Sequence, residues 1–425
     1  MTVMWSRIHA ELGLLPSELT HDMVVRAVEQ QLRENDDLDW KQALPVPERR
    51  QEFAKDVAAM ANTRGGLIVF GVTEKDERAT GFRAAANGER ERQMLRAATA
   101  RWIRPMVNGI TMDPLNDEQG DRPLLVVSVL ASPDAPHVLG EKNEMGIPFR
   151  DGSDTLWMSE HQLERAYRDR FARRTSDAAT LQALLDHTYQ QVDQSSDKAW
   201  LIVVARPTSP TPPNVSTPSS SDVATVLYEA MSAGQEIQTR TTDSGVLHSL
   251  PHAAIHDPGT GLRRWVVRAR RSAGPAAMED GLQVELHHDG STVMAVSTDG
   301  WGVGHAEGLD GSTLLPVRLV ETALADAIAL ATTRSRHLGN LGILQVRAEV
   351  RQPSAGLRAD FVAAVEHGNR TGQLVSGSRI IRQVVPVEAE VRADADISEL
   401  RVTTRQLAQD LLHQFGVQHV KSIRD

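Results

Sequence analysis

Residues 58–72 read AAMANTRGGLIVFGV, and this stretch decides how the N-terminal part of the chain folds. It begins inside an amphipathic segment, residues 48–61, whose apolar side chains recur at helical spacing. The next five residues include two glycines, which tolerate the backbone conformations that end a helix. The run LIVFGV consists of β-forming residues and predicts a central strand. We therefore predict a helix–turn–strand unit in which Asn62 braces a turn at Gly65 and Gly66.

The flanking segments extend this unit on both sides into one domain. On the N-terminal side the pattern predicts a helix over residues 17–33, capped by Ser17. A half-buried strand follows over residues 36–44, with Asp39 and Lys41 on its polar face. On the C-terminal side we predict an arginine-bearing helix, a buried strand, an extended segment and a closing helix, at residues 87–103, 124–130, 148–150 and 159–174. This order indicates one α/β or α+β domain of about 170 residues.

The rest of the chain predicts a second α+β domain that contains antiparallel hairpins. The dipeptide Asp289-Gly290 lies between two β-rich runs, residues 282–288 and 291–297, which is a strong hairpin signal. We also predict helices over residues 180–192, 316–336 and 402–415, and strands over residues 200–204, 343–350 and 380–391. The Pro/Ser-rich residues 206–222 predict a mobile loop. The expected organisation is an N-terminal helical extension, a first domain and a second domain of unknown role, at residues 1–33, 34–175 and 176–425.

Composition and charge exclude several classes of protein. The 425 residues are 40% hydrophobic and 24% charged, which is typical of folded domains rather than disordered chains. With 46 Lys and Arg against 56 Asp and Glu, the net charge of −10 argues against a generally basic nucleic-acid binder. The absence of cysteine excludes disulfides and thiolate metal sites. Neither a membrane-spanning run nor a secretion signal is found, so we expect a soluble, cytoplasmic protein without a membrane partner.

One local segment is basic despite the acidic chain. Residues 78–104 contain seven arginines and only two acids. Arg92, Arg96 and Arg101 fall on or near one side of the predicted helix, while Leu95, Ala98 and Trp102 are predicted to pack inward. Arginine and lysine bind nucleic acids mainly through the phosphate backbone. The candidate nucleic-acid-binding residues are therefore Lys41, Arg92, Arg96, Arg101, Arg104 and Arg150.

Three acids are candidates for a metal site. Glu34 precedes the first predicted strand, Asp39 lies on it, and Glu74 follows the LIVFGV strand. Clustered carboxylates repel one another unless a cation compensates, and Mg²⁺ or Mn²⁺ prefers such oxygen ligands. A bound cation of this kind can position a water against a phosphodiester. The three acids are therefore candidate metal ligands and catalytic residues, and the spacing leaves open that they are ordinary surface acids.

Two other patterns favour structural explanations. The Walker sequence GxxxxGK[ST] is absent, so the glycines of the turn serve backbone geometry rather than a phosphate cradle. His248, His252 and His256 have the spacing of metal ligands on a helix. Pro251 interrupts that helix, which favours a loop with chance histidines.

Several separated motifs resemble the Schlafen-type AlbA domain. The string ENDDLDWK at residues 34–41 resembles the family's E-x-x-x-L-E-F-K, with Asp and Trp in place of Glu and Phe. AAMANTRGG at residues 58–66 resembles S-A-x-A-N-T-x-G-G, and GVTE at residues 71–74 is similar to G-V-D-D. The later family positions match in order at residues 81–82, 103–105, 126–129, 136–137 and 149–153. The resemblance covers residues 34–174.

The resemblance implies a small α+β fold that is usually described as DNA-binding in bacteria. Animal Schlafens pair two such lobes and cleave tRNA or rRNA with three metal-binding acids, which correspond here to Glu34, Asp39 and Glu74. A homodimer or the C-terminal domain would have to supply the second lobe. The leading hypothesis is a binder of RNA or DNA backbone in regulation or phage defence. The alternatives are an endoribonuclease that depends on Mg²⁺ or Mn²⁺, and a nucleotide-binding or protein-interaction module.

Overall fold

The structure is a computed structural model of the chain. It describes residues 6–423 apart from residues 15–16, 118, 142–143, 194–198, 209–218, 239–244, 250–258, 270–280, 299–312, 341, 353–360, 367–372, 376–378 and 382. The chain divides into a first unit, Met1–Ser176, and a second unit, Asp177–Asp425. Each unit has a hydrophobic core of its own.

The first unit contains helices α1 to α4 and the beginning of α5. Their bounds are α1 Arg7–Leu12, α2 His21–Glu29, α3 Arg50–Ala61, α4 Glu89–Trp102 and α5 Glu160–Asp193, and a single 3-10 turn, Pro47–Arg49, precedes α3. The strands are β1 Leu38–Lys41, β2 Gly65–Phe70, β3 Val72–Lys75, β4 Arg78–Phe82, β5 Ile103–Arg104, β6 Thr111–Leu115, β7 Leu124–Leu130, β8 Val138–Glu141, β9 Glu144–Gly146, β10 Pro148–Asp151 and β11 Asp154–Trp157.

A four-stranded sheet of order β1-β2-β7-β6 organises the first unit. β1 and β2 run parallel, with Asp39 opposite Ile68, whereas β7 is antiparallel to both β2 and β6. Alternate strand residues face two cores. One core packs the sheet against α3 and α4, and the other packs it against α1 and α2. This arrangement confirms the α+β class.

The turn between α3 and β2 depends on two glycines and one asparagine. Gly65 and Gly66 have φ of +76° and +154°, and a Cβ on Gly65 would lie 2.5 Å from the carbonyl oxygen of Val129. Asn62 caps α3, and its Nδ2 donates to the carbonyl oxygens of His137 and Pro148 at 2.9 and 2.8 Å. Its Oδ1 accepts the His137 N–H at 2.6 Å. The turn therefore ties β2 to the segment that leads into β10.

Two expectations about helices are wrong. α2 begins after Thr20, whose side chain accepts the Met23 N–H, and not after Ser17, whose hydroxyl bonds His9 instead. The short helix α1 was not predicted, because its six residues carry too little periodicity to stand out. The predicted helices at residues 159–174 and 180–192 are one continuous helix, α5, since no glycine or proline separates them.

The second unit is built on a seven-stranded antiparallel sheet of order β13-β14-β15-β16-β12-β18-β21. Its strands are β12 Trp200–Pro207, β13 Gly259–Gly261, β14 Arg264–Ala269, β15 Leu282–His287, β16 Thr292–Ser297, β18 Ile343–Arg351 and β21 Val387–Arg392, and a smaller sheet holds β17 Thr313–Pro316, β19 Phe361–Glu366 and β20 Gln373–Leu374. The helices are α6 Ser220–Ile237, α7 Val317–His337 and α8 Ile397–His413, with a single 3-10 turn at Val246–Ser249.

The predicted hairpin around Asp289-Gly290 is confirmed, because β15 and β16 pair with Leu286 opposite Thr292. α7 differs from the helix that the sequence predicted over residues 316–336. Val320, Ala323, Ala327, Leu330 and Ala331 recur at helical spacing, which predicts one apolar face. The helix is instead buried on nearly all sides among α6, α8 and the sheet. The predicted strand at residues 380–391 is also shorter than expected, since β21 begins only at Val387.

Some predictions fall outside the described residues. The loop predicted over residues 206–222 is wrong at both ends, since β12 extends to Pro207 and α6 begins at Ser220, and its middle, residues 209–218, lies outside the described residues. His252 and His256 lie within residues 250–258, which are also outside them. Within the described part of the chain, no helix is both long enough and apolar enough to cross a membrane.

Candidate nucleic-acid site

Asp39 is buried in the middle of β1, with 2% of its surface exposed. This corrects the half-buried strand that the sequence predicted. Leu38 and Trp40 lie in the core with α1 and α2, and the buried Arg150 covers Asp39 on the other face. The alternation of Leu38 and Trp40 with Asp39 and Lys41 gave the polar face correctly. It could not show that other elements cover that face.

Two cations compensate the buried Asp39 carboxylate. Lys41 Nζ lies 2.6 Å from Asp39 Oδ2, and Arg150 Nη2 lies 3.3 Å from Asp39 Oδ1. Arg150 is itself 5% exposed, and its Nη1 and Nη2 also contact Thr155 Oγ1 and the Asn35 carbonyl oxygen. The predicted phosphate contact of Arg150 therefore does not match its position, because the guanidinium lies inside the unit. Its contact with Asp39 balances a charge that would otherwise be costly to bury.

A fourth acid, Asp56, extends this arrangement onto α3. Its Oδ2 lies 3.7 Å from Lys41 Nζ. Burial, followed by the neighbouring Asp39 charge, raises the pKa of Asp56 to about 6. The charges therefore alternate from Arg150 through Asp39 and Lys41 to Asp56. Asp56 was not among the predicted site residues, although an acid between Phe53 and Val57 on an apolar helix face was a signal for it.

Glu34 lies at the entry of β1 and is held by the backbone of the same strand. Its Oε1 accepts the Trp40 N–H at 2.6 Å. Burial, together with the charges of Asp39 and Glu74, raises the pKa of Glu34 to about 7 against the opposing effects of the Trp40 N–H and Lys41. Glu74 lies on β3 and is exposed. The charges of the other two predicted acids thus both act on Glu34.

The geometry does not fit a metal ion as the side chains are placed. Within the described residues, no group of three or more His, Asp or Glu side chains could hold one. Asp39 has a cation partner at each oxygen, and one oxygen of Glu34 already accepts a hydrogen bond from a backbone amide. The assignment of Glu34, Asp39 and Glu74 as ligands of Mg²⁺ or Mn²⁺ stays a prediction.

A cavity of about 600 Å³ opens at the carboxyl ends of β1 and β2, where both Lys41 and Phe70 line it. We call it the β1-end cavity. Three cations, Lys41, Arg49 and Lys55, contribute to its wall. Arg49 and Lys55 were not among the predicted binding residues, because they occur in a mixed-charge stretch, PERRQEFAKD, that resembles an ordinary solvated helix start.

The arginines of α4 are partly engaged within their own helix. Arg92 and Arg96 both pair with Glu89, at 2.7 and 3.4 Å. The Arg101 guanidinium lies 4.8 Å from the centre of the Trp102 ring. Arg104 Nη1 donates to the carbonyl oxygens of Ala100 and Ile103. A phosphate would therefore compete with existing partners at these residues.

The inward face of α4 is as predicted for two residues and differs for the third. Leu95 and Ala98 are buried, whereas Trp102 is only partly buried against the same core. α4 is two residues shorter at its N-terminus than predicted, because Gly88 occupies the cap position.

Comparison with known protein families identifies a domain within the first unit. Residues 34–159 match the family model described as Schlafen, AlbA_2. These residues therefore form a Schlafen AlbA-type domain, which supports a role in nucleic-acid binding at the level of the family.

Whole-protein comparisons add little. No curated protein matches the chain. The chain is similar to the DIP2311 protein from Corynebacterium diphtheriae, a crystal structure, with 19% identity and a TM-score of 0.24. The match covers 35% of this chain and 28% of that protein, so the chain spans less than a third of its length. A likeness at this level supports no inference about fold or function.

Proposed function

We propose that the Schlafen AlbA-type domain binds the phosphate backbone of RNA or DNA at the β1-end cavity. The observation that carries this proposal is the convergence of Lys41, Arg49 and Lys55 on one cavity, in a chain whose net charge is −10. Cations contribute to nucleic-acid affinity by neutralising phosphates and releasing counterions. A local group of cations is therefore how an acidic protein would hold a polyanion.

The position of Lys41 supports a phosphate contact. Its ammonium group is anchored by Asp39 on one side and by Asp56 on the other, so little side-chain freedom remains to be lost on binding. The side chain is still partly exposed and borders the cavity. An ammonium group has three N–H donors, so one remains for a phosphate oxygen beside two carboxylates.

The arginines of α4 provide a second, weaker set of contacts. α3 and α4 pack on the same face of the sheet, so Lys55 and the arginines belong to one layer of the unit. Because Arg92 and Arg96 are already paired with Glu89, a phosphate would bind less favourably there than at Arg49, which is exposed. We therefore assign the α4 arginines a supporting role.

Fluorescence anisotropy with labelled RNA and DNA tests the proposal. The full chain should bind both polymers at low salt, and its affinity should fall as salt is raised. The triple variant Arg92→Ala/Arg96→Ala/Arg101→Ala should bind a few-fold more weakly and show a shallower salt dependence. An absence of binding to RNA and DNA at low salt would refute the proposal and favour a nucleotide-binding or protein-interaction module.

A metal-dependent endoribonuclease is the second candidate function. The observation that favours it is that the charges of Asp39 and Glu74 both raise the pKa of Glu34, since a carboxylate repelled by its neighbours has a higher affinity for a cation. The ion pairs of Asp39 oppose it, because a metal would have to displace Lys41 or Arg150. We derive no cleavage step through a metal from this arrangement.

Incubation with tRNA and rRNA fragments tests the second candidate. Cleavage that needs Mn²⁺ or Mg²⁺, is stopped by EDTA and is lost in Asp39→Asn while binding persists would support it. Cleavage that survives both EDTA and Asp39→Asn would indicate a contaminating nuclease. Binding without cleavage in either metal would leave the binding function alone. A sedimentation measurement of mass would check whether a homodimer supplies a second lobe.

A further inference from the structure

We propose that the β1-end cavity takes one unpaired nucleotide of a bound strand, with its phosphate on the cations and its base inside the cavity. This inference rests on the proposed nucleic-acid binding and adds a preference for single strands. Three features of the cavity support it: its size, its apolar wall and the order of its charges.

The size and wall of the cavity suit a flat organic group. A volume of about 600 Å³ lies within the range of roughly 300–1,000 Å³ that ligand sites occupy. Leu44 and Val46 contribute an apolar surface, and Val46 is 53% exposed; Phe53 and Phe70 border the cavity but are almost wholly buried in the adjoining core. An inorganic phosphate alone would leave this surface unused, whereas a nucleobase would cover it.

The charges on the cavity wall are mixed, which also favours a nucleotide over a simple anion. Lys41, Arg49 and Lys55 can hold a phosphate, whereas Glu52 and Asp56 would repel it. The same carboxylates can accept hydrogen bonds from the amino groups that cytosine, adenine and guanine present. A ligand with both an anionic and a hydrogen-bond-donating end satisfies both sets of residues.

Base pairing determines which nucleic acid fits. In a duplex the amino groups of the bases are paired and stacked, so they cannot enter a cavity without unpairing, which costs a few kcal/mol. Unpaired bases are free to turn outward and stack on protein side chains. The proposal therefore predicts that the full chain binds single strands more tightly than duplexes of the same length.

Matched charge substitutions at two exposed alanines test the proposal. Ala43 lines the β1-end cavity, whereas Ala10 lines a separate cavity of about 420 Å³ in the same unit. Ala43→Glu should lower affinity for single-stranded RNA and DNA by about tenfold and reduce the preference over a duplex, because the new carboxylate repels the phosphate. Ala10→Glu adds the same charge and should leave both affinities unchanged.

The double variant Arg49→Ala/Lys55→Ala gives an independent readout, and it decides the matter if Ala43→Glu does not fold. It should also lose single-strand preference. Equal binding of single strands and duplexes by the parent, or an unchanged preference in both cavity variants, would overturn the inference and leave general backbone binding in place. No binding to any nucleic acid would overturn both the inference and the proposed function.

Discussion

The two units each bury an aspartate, and they do so by opposite means. In the first unit Asp39 has a cation at each carboxylate oxygen, Lys41 and Arg150, and Lys41 borders an open cavity. In the second unit Asp326 is fully buried on α7 and accepts the Leu247 N–H at 3.0 Å and the Gln238 Nε2–H at 3.3 Å. In the described part of the chain Asp326 has no ion pair.

The two aspartates therefore have different roles: Asp326 stabilises the packing of the second unit, whereas Asp39 lies beside a candidate binding site. Burial raises the pKa of Asp326 to about 7, against the lowering effect of the Leu247 and Val246 N–H groups. Gly234 and Gly245 leave room for the carboxylate, because a Cβ on Gly245 would lie 2.6 Å from it. Asp326 therefore fastens α7 to the end of α6 and to the 3-10 turn. The ion pairs of Asp39 instead maintain charge next to a surface that a ligand can reach.

The largest expected effect is the loss of Arg150. Arg150→Ala leaves the buried Asp39 with one cation and should destabilise the first unit by about 3–5 kcal/mol, the usual cost of breaking a buried pair. Urea unfolding, monitored by hydrogen exchange at the β1 and β2 amides, measures this loss of unfolding free energy. The control is Arg168→Ala, which removes an exposed arginine paired with Glu164 and should cost under about 1 kcal/mol. Equal costs in the two variants would show that the Asp39 pair is no stronger than a surface pair.

The next effect is a pH dependence that belongs to the second unit. The folded-state pKa of Asp326, about 7, is above the ordinary value of 3.8, so the native state binds the proton more tightly than the unfolded state. The stability that Asp326 contributes is therefore fully present below pH 3.8 and is lost as the pH rises through 7. The loss from this group between pH 6 and pH 8 should be about 1.4 kcal/mol.

Asp326→Asn is the matched control for that pH dependence. Asparagine keeps the size of the side chain and can accept the Leu247 N–H, while Gln238 can turn its amide to accept from the new NH₂ group. The variant should lack the 1.4 kcal/mol component in urea unfolding at the two pH values. If the variant keeps the full pH dependence of the parent, another group titrates and the assignment to Asp326 fails.

The smallest effect compares the same isosteric change in both regions. Asp39→Asn removes a negative charge beside the β1-end cavity, so RNA affinity at low salt should rise by about two- to fivefold because repulsion of phosphate falls. Asp326→Asn should leave RNA affinity unchanged. Anisotropy titrations of the two variants measure the contrast, and an equal rise in both would show that only net charge matters.

The sequence predicted the parts of the site that depend on local pattern. The helix–turn–strand unit around Gly65 is local in sequence, because backbone conformation at the glycines decides it. The β15–β16 hairpin follows in the same way from Asp289-Gly290. The polar face of β1 was visible from its alternation, and the motif order gave the family.

The rest of the site depends on contacts between distant residues. Arg150 meets Asp39 across 111 residues of sequence, so its pattern suggested a surface cation when it is a buried partner. Asp56 meets Lys41 only because α3 packs beside β1. Burial of α7 on nearly all sides could not be read from a helix with one strongly apolar face, since the covering elements α6 and α8 lie far away in the chain.

The salt dependence of RNA binding measures how many phosphates the cations of the β1-end cavity neutralise. The parent is compared with Arg49→Ala/Lys55→Ala and with Arg379→Ala/Arg392→Ala, which removes the same charge from exposed arginines of the second unit. For a single strand, losing two phosphate contacts should reduce the slope of log K against log salt by about 1.4. We expect this reduction in the first variant and the parent's slope in the second. Equal slopes in all three proteins would contradict the assignment of nucleic-acid binding to the β1-end cavity.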